Sequence, residues 1–308
     1  MRIDVHQHIW TEPLRRALEA RNELPLIRVQ NGLSILHCQG EHPYVIDTES
    51  ETPTARTELL DQDGLDSAVI AISSPIGIEA LRRDQAIPLL DAHLSGVAEL
   101  GPRFKAWGPL PTDRTQPADV DPLAAKGCAG ISLSAGALAS PDQADALRPT
   151  LRRIAELGLP LFIHPGRAHG DRINHPALDE PFWWPALNDY TSQMQTAWLT
   201  WATHARRDHP ELITVFAMLA GLAPLQHERL SSRGGPVIDL QDPNTYYDSS
   251  SYGPELVGTL ANTVGTDQLL YGSDRPVLEP QSCGRDAALQ RNADTLFAPV
   301  PSTARIAA

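Results

Sequence analysis

The chain alternates short apolar runs with longer amphipathic segments over most of its length. Eight of these runs are predicted to be buried strands, and plausible helices lie between them. Continuous apolar runs are typical of parallel strands that are covered on both faces. The predicted strands occupy residues 2–9, 67–74, 104–111, 129–137, 160–166, 212–221, 245–252 and 268–276. This alternation predicts an α/β protein that closes into a TIM-type barrel.

Two segments are too long to be simple connections. Residues 11–56 follow the first predicted strand and include a stretch that suggests a small hairpin, and residues 165–189 follow the fifth. Both insertions begin after the C-terminal end of a strand, which is the catalytic face of such a barrel. We therefore predict one domain over residues 1–308, with a loose tail at 299–308.

Composition narrows the class of partner. The net charge of −13 argues against nucleic acid as a partner, because a phosphate backbone would be repelled. The cysteines Cys38, Cys128 and Cys283 are widely spaced and odd in number, which favours a reduced, cytoplasmic setting. The first residues lack the apolar core of a signal peptide, and no apolar run reaches about 18 residues, so we expect no membrane association.

Two histidines stand one residue apart in the first predicted strand. His6 and His8 lie in IDVHQH, and residues i and i+2 of a strand point to the same face. Both imidazoles can therefore enter the barrel mouth, where buried rings need polar partners. A metal ion would satisfy both rings at once, although two structural histidines would give the same pattern.

A third histidine and an aspartate end two other predicted strands. His164 precedes a Pro-Gly turn after the fifth strand, and Asp274 lies in YGSDRP after the eighth. Alone, each reads equally as a turn or packing residue. Together with His6 and His8 they would supply three nitrogens and one carboxylate, a ligand set that suits zinc. Asp274 is also a candidate base for a water whose pKa the metal lowers.

These motifs resemble the amidohydrolase superfamily, specifically the amidohydrolase-related branch that includes aminocarboxymuconate-semialdehyde decarboxylase. The matching stretches are IDVHQH, LPLFIHPG, NTYYDSSSYGPELV, LLYGSDRP and LQRNADTLF, and the resemblance spans residues 2–298, most weakly at 11–56. It implies a distorted TIM (β/α)8 barrel of the metal-dependent hydrolase type. By position, His6, His8, His164 and Asp274 match the family's metal ligands.

The resemblance also implies a cofactor and an assembly. Members usually hold one divalent ion, with Zn²⁺ the first expectation and Mn²⁺ the alternative, and many of them form homodimers. The opening IDVHQHIW is also similar to the sugar- and pyrone-lactonase branch, some of whose members work without metal.

Two positions depart from the family's pattern. Binuclear members carry a bridging lysine on strand four, where this chain has Ser132 and Ser134, so a single metal is favoured. Strand six of the family usually ends in a motif whose histidine polarises the substrate or moves a proton. In VFAMLAGLAP, where Gly221 and Pro224 fix the register, Met218 occupies that place. A thioether neither transfers a proton nor donates a hydrogen bond.

Other side chains are candidates to replace the lost histidine. His169 and His175 lie in the insertion after the fifth strand and could overhang the metal. Tyr252 follows the seventh strand. Arg275, beside Asp274, is a candidate catalytic residue or an anchor for a substrate carboxylate through its guanidinium fork. Each of these residues reads equally as a solvated loop residue or a local ion pair.

Apolar residues suggest how a substrate would be held. Met218 would make its part of the pocket apolar and adaptable. Trp10, Trp183 and Trp184 are candidates for an aromatic wall around a flat organic molecule, and they are equally suited to packing loops against the barrel.

The sequence therefore predicts an enzyme. The leading hypothesis is a mononuclear metal-dependent hydrolase that acts on a small cyclic or carboxylated substrate through a metal-activated water. Three alternatives stay open: a non-oxidative decarboxylase (a lyase) of an aromatic or unsaturated acid, a lactonase with weak or no metal dependence, and a barrel that has lost catalysis and binds a ligand.

Overall fold

The structure is a computed structural model that describes residues 1–173, 180–280 and 286–297. The described residues form eleven strands: β1 (Ile3–Gln7), β2 (Leu26–Gln30), β3 (Leu33–His37), β4 (Tyr44–Ile46), β5 (Ser67–Ile70), β6 (Phe104–Pro109), β7 (Gly130–Ser134), β8 (Leu161–His164), β9 (Thr214–Phe216), β10 (Thr245–Asp248) and β11 (Leu269–Leu270). Among them, β1 and β5–β11 form one sheet in chain order, and all neighbouring strands of this sheet are parallel.

Backbone hydrogen bonds link the last strand of this sheet back to the first. Gln7 forms a parallel bridge with Arg275, His8 N donates to Arg275 O at 2.7 Å, and Asp274 N donates to His6 O at 2.9 Å. The predicted TIM-type barrel is confirmed. The observed strands are shorter than the predicted runs, because the residues at their C-terminal ends leave the ladder to form turns.

Nine helices are described: α1 (Glu12–Glu19), α2 (Pro53–Gln62), α3 (Arg83–Glu99), α4 (Val120–Ala125), α5 (Pro141–Glu156), α6 (Thr191–Thr200), α7 (His227–Ser232), α8 (Pro254–Val264) and α9 (Asp286–Leu296). Local sequence explains where the clearest of them begin. Ser140 caps α5 by accepting from Gln143 N at 3.3 Å, and a proline follows at the first helical position. In the described residues no helix is long and apolar enough to cross a membrane.

The insertion at 11–56 is larger than the small hairpin that the sequence suggested. It contains α1 and an antiparallel sheet of β2, β3 and β4. Asn31 and Gly32 join β2 to β3 with positive φ angles of 52° and 81°, as a two-residue hairpin requires. Leu14, Leu18 and Trp10 form a second apolar cluster with this sheet. The insertion is therefore anchored to the barrel through a core of its own.

The main core fills the barrel and the layer beneath its helices. Inside it, the rings of Trp107 and Phe162 stack with centroids 4.9 Å apart. Trp198 and Trp201 of the α6 region are fully buried there, and Trp198 Nε1 donates to Tyr247 Oη at 3.0 Å. Parallel strands fixed in this way deliver the residues that follow them to one end of the barrel.

Candidate metal centre

The three predicted histidine ligands meet at that end of the barrel. His6 lies on β1, His8 follows it, and His164 ends β8. All three are buried, and one ring nitrogen from each lies within 4.8 Å of the others. Because residues i and i+2 of extended chain share a face, His6 and His8 can point into the same space.

The hydrogen bonds of these rings fix which nitrogen faces that space. Each Nδ1 lies close to an oxygen that can only accept: His6 to Asp248 Oδ2 at 2.8 Å, His8 to Ala71 O at 2.9 Å, and His164 to Pro165 O at 2.9 Å. Each Nδ1 therefore carries hydrogen, which leaves the Nε2 lone pairs as potential ligands. Metal-binding histidines are typically oriented by partners of this kind.

Asp274 lies beside two of the rings. Its Oδ1 is 3.1 Å from His8 Nε2 and 3.7 Å from His6 Nε2. Ser251 Oγ donates to its other oxygen, Oδ2, at 3.4 Å. Burial acts to raise the pKa of Asp274, but the hydrogen bond to His8 and the charges of both histidines lower it below its usual value. The carboxylate is therefore ionised at neutral pH.

The centre needs a positive charge between its nitrogens. His6 Nε2 and His8 Nε2 are 3.1 Å apart, and two lone pairs at that distance repel unless a cation or a proton lies between them. Burial opposes a charged His6, yet Asp248, with Asp274 and Asp4, raises its pKa to about 9. Burial, with His6 and His8, lowers the pKa of His164 well below its usual value. This donor set fits one divalent ion, which would take the place of the proton.

Asp248, at the end of β10, is a candidate site residue that sequence reasoning missed. It is fully buried, accepts from His6, and its other oxygen Oδ1 accepts from Met218 N at 3.1 Å. Ser250 donates to the same Oδ1 through its amide at 2.9 Å and through its hydroxyl. The signal was present, because TYYD places an aspartate at the C-terminal end of a predicted strand, as YGSD does for Asp274.

Met218 begins a strained turn after β9. Residues 218–222 all have φ between 48° and 63°, and Gly221 alone among them is a glycine. Left-handed backbone costs about 1–2 kcal/mol for each residue with a side chain. Asp248 and Ser250 Oγ, which accept from Met218 N, hold the turn in place. Strain that tertiary contacts maintain is characteristic of functional sites. Whether Met218 replaces a catalytic histidine stays a prediction.

Ser132, on β7, stands where binuclear relatives are expected to carry a lysine. Its side chain is buried, and its hydroxyl has no hydrogen-bond partner among the described residues. Ser134 Oγ, at the end of β7, donates to Arg167 O at 3.0 Å. Neither hydroxyl can supply the carboxylated bridge of a second metal, which agrees with a single ion.

Arg275 is engaged by carboxylates of the protein itself. Its Nε and Nη2 donate to the two oxygens of Asp63 at 2.8 and 3.0 Å, and its Nη1 donates to Glu279 at 2.8 and 2.9 Å. The fork that was predicted to hold a substrate carboxylate is thus occupied by Asp63. The backbone of Arg275 is hydrogen-bonded to β1 next to Asp274, so Arg275 lies beside the metal centre. Its guanidinium, however, is paired with Asp63 and Glu279.

The remaining candidates are dispersed. Trp10 packs in the second core with its ring 6.2 Å from that of Tyr44. Trp183 and Trp184 are about half-exposed and touch each other with centroids 5.7 Å apart.

Two loop candidates are held by local contacts, and a third lies outside the described residues. His169 is exposed and its Nδ1 donates to Ala80 O at 2.9 Å. Tyr252 is half-buried and hydrogen-bonded to Thr191. His175 and the tail 299–308 lie outside the described residues. Roles for all these side chains stay predictions.

Known structures share this fold. IDCase of Metarhizium anisopliae, in its apo form, matches with a TM-score of 0.73 and 19% identity over 96% of this chain and 91% of that chain. The 5-carboxyvanillate decarboxylase of Sphingomonas paucimobilis matches with a TM-score of 0.67 and 15% identity over 97% and 99%. The 5-carboxyvanillate decarboxylase of Novosphingobium aromaticivorans, complexed with manganese and 4-hydroxy-3-methoxy-5-nitrobenzoic acid, gives 0.66 and 17% over 97% and 96%. No curated protein matches the sequence.

A family model identifies the family of this chain, whereas the solved structures, which are at most 19% identical among those described, show only its fold. The model described as amidohydrolase matches residues 3–300, nearly the whole chain. The match confirms the resemblance read from the motifs, and it agrees with a barrel whose histidines gather at one end. Membership of this family indicates an enzyme of the hydrolase or lyase type. This protein belongs to the amidohydrolase family.

Proposed function

We propose that this protein is a mononuclear metal-dependent hydrolase of a small organic substrate. The observation that carries the proposal is the set of three histidines, each with Nδ1 fixed by an oxygen acceptor, whose Nε2 atoms are left to face a common ion. His6, His8, His164 and Asp274 would hold the ion. A divalent ion in such a site acts as a Lewis acid towards water or a carbonyl oxygen.

In this proposal Asp274 moves the proton. Its Oδ1 faces the histidines, whereas Oδ2 has a distant contact with Ser251 Oγ and can accept a proton from an attacking water. The lowered pKa of Asp274 keeps the carboxylate ionised and so ready to act as a base. Met218 supplies no proton, which favours substrates such as activated esters or lactones, whose leaving groups need little assistance.

A second candidate is a non-oxidative decarboxylase of an aromatic or unsaturated acid. It is favoured by the fold likeness to 5-carboxyvanillate decarboxylases, one of them bound to manganese and a nitrobenzoic acid. In that case His6, His8 and His164 would hold the ion near the substrate carboxylate. Asp274 would take a proton from a solvent water and deliver it to the carbon that loses carbon dioxide.

One experiment separates these candidates. Protein loaded with Zn²⁺ or Mn²⁺ is offered aryl esters, lactones and aromatic carboxylic acids, and both acid release and carbon dioxide release are measured. We expect ester or lactone cleavage that depends on metal and is lost in Asp274→Asn. Carbon dioxide release without ester cleavage would establish the decarboxylase instead. Full activity in metal-free protein and in His6→Ala would refute both.

Three finer properties are part of the same proposal. Zn²⁺ is the proposed ion because nitrogen-rich sites suit it. Mn²⁺ is the alternative because the structurally similar 5-carboxyvanillate decarboxylase of Novosphingobium aromaticivorans is complexed with manganese. Metal analysis of the purified protein decides between them. We also propose a cytoplasmic homodimer, which fractionation and light scattering would test.

A further inference from the structure

Both insertions that the sequence singled out meet around one polar cavity of about 240 Å³. Its lining comes from the turn between β3 and β4, the segments that follow β5 and β8, and the start of α6. Gly166 in this lining lies two residues beyond His164, so the cavity opens beside the turn that follows a proposed metal ligand. The cavity therefore lies near the C-terminal end of β8, the strand that carries this proposed ligand.

Arg167 has a fixed position in this cavity. Its Nη1 donates to Gln39 O at 2.9 Å, and its backbone carbonyl accepts from Ser134 Oγ. Gly77 leaves room for the guanidinium, because a Cβ at that residue would lie 2.3 Å from Nη2 of Arg167. Gly77 also has φ of 83°, a conformation that favours glycine. The arginine is therefore held in place through one of its five N–H groups.

Neither arginine of this cavity forms a salt bridge within the described residues, although the charges of the nearby Glu41 and Asp171 act on Arg167. Among the residues that the structure describes, no carboxylate lies within ion-pair distance of Arg167 or of Arg172. Guanidinium groups with unused donors bind carboxylates strongly, because the two planar groups match and the hydrogen bonds are charge-assisted.

Two acids in the lining modulate this positive charge. Burial raises the pKa of Glu41 to about 7, against the opposing effects of the Tyr190 hydroxyl and Arg167, and nearby Asp189 adds to the rise. These groups face Glu41 from the segment after β8 and from the residues before α6. As pH falls through about 7, Glu41 gains a proton and the cavity becomes more positive. An anion should then bind more tightly.

We propose that Arg167 and Arg172 form a carboxylate-binding subsite, separate from the metal ligands, that holds an acidic group of the substrate. The inference rests on the proposed function and narrows its substrate class. The substrate would carry a carboxylate in addition to the ester, lactone or carboxyl group that reacts. The two insertions then act as the specificity-determining part of the barrel.

Direct binding tests the subsite without any catalysis. Succinate and inorganic phosphate are titrated calorimetrically into protein stripped of metal, so the result does not depend on whether the proposed reaction occurs. We expect wild-type protein to bind succinate at millimolar concentrations, and Arg167→Met and Arg172→Met to bind it at least about tenfold more weakly. Arg207→Met is the matched control, because Arg207 is exposed and lies outside the cavity lining; its affinity should equal that of the wild type.

Two further variants separate loss of the arginine charge from misfolding and test the effect of Glu41 on binding. Arg167→Lys keeps the charge and should retain more affinity than Arg167→Met. Glu41→Gln should bind succinate more tightly at pH 8 than the wild type and lose the pH dependence. The proposal is overturned if wild-type protein binds no succinate, if both arginine variants bind it unchanged, or if phosphate binds much more tightly than succinate. Failure of metal binding or turnover, with succinate binding intact, would instead refute the proposed function alone.

Discussion

Replacing Asp248 by asparagine tests how the metal centre is organised. The carboxylate accepts from His6 Nδ1 on one oxygen and from Met218 N and both donors of Ser250 on the other. An amide has one acceptor oxygen, so its NH₂ group must face either His6 or the other donors. In the first case His6 would move its hydrogen to Nε2 and lose its ligand lone pair. In the second, buried donors lose their acceptor.

The expected magnitude follows from these contacts. Loss of a partner that orients a metal-binding histidine typically lowers metal affinity about 10- to 100-fold, which is about 1.4–2.7 kcal/mol. A buried donor left without an acceptor costs about 1–3 kcal/mol of folding free energy. Asp248→Asn should therefore bind Zn²⁺ at least about tenfold more weakly, measured by competition with a chromophoric chelator, and unfold at lower urea concentration.

Asp242→Asn is the matched control. Asp242 precedes β10, pairs with Arg206 and accepts from Thr245, all at the start of the strand rather than at its end. Its replacement should lower stability and leave metal affinity unchanged. If Asp248→Asn bound Zn²⁺ as tightly as the wild type, the proposed orienting role of Asp248 would be refuted. Equal weakening by both variants would attribute the effect to general destabilisation.

Three further predictions concern the centre and its surroundings. His164→Ala removes one of the three nitrogen ligands, so the purified variant should contain less than stoichiometric metal by elemental analysis; full metal content would contradict the ligand set. Burial raises the pKa of Glu79 from 4.5 to about 7, so the native state retains a proton that the unfolded chain releases, and stability should fall as pH rises through that range by up to about 3 kcal/mol. Glu79→Gln should flatten this dependence in urea unfolding at pH 5 and pH 8, whereas parallel profiles would contradict the assignment. Met218→His should restore a proton-transfer group and raise ester or decarboxylase activity at least about tenfold; unchanged rates would show that proton transfer at this position is not what limits the enzyme.

Sequence reasoning succeeded where a feature depends on local order along the chain. The eight apolar runs predicted the strands, and their sequence order became their spatial order because parallel strands with intervening helices pack in succession. His6 and His8 could be assigned to one face because side chains alternate along a strand. His164 and Asp274 followed from the rule that the C-terminal ends of the strands meet at one end of the barrel.

Sequence reasoning was less informative where contacts between distant segments determine what a residue does. Nothing local shows that Arg275 is paired with Asp63, 212 positions away, or that Trp10 belongs to a second core. Asp248 was overlooked because its importance lies in the ring it orients, 242 positions earlier. The loop residues Trp183 and Trp184 could not be assigned, since an insertion folds against whatever surface the barrel offers it.

The sequence by itself determined the barrel, its family and the histidine pair with which the chain begins, because periodicity and strand ends are encoded within short stretches. Only the tertiary structure decided which nitrogen each histidine presents, which acid lies against His6, and which arginines pair with a carboxylate. Those properties depend on the acceptors and charges that separate loops bring within hydrogen-bond distance, and such distances exist only once the barrel has closed.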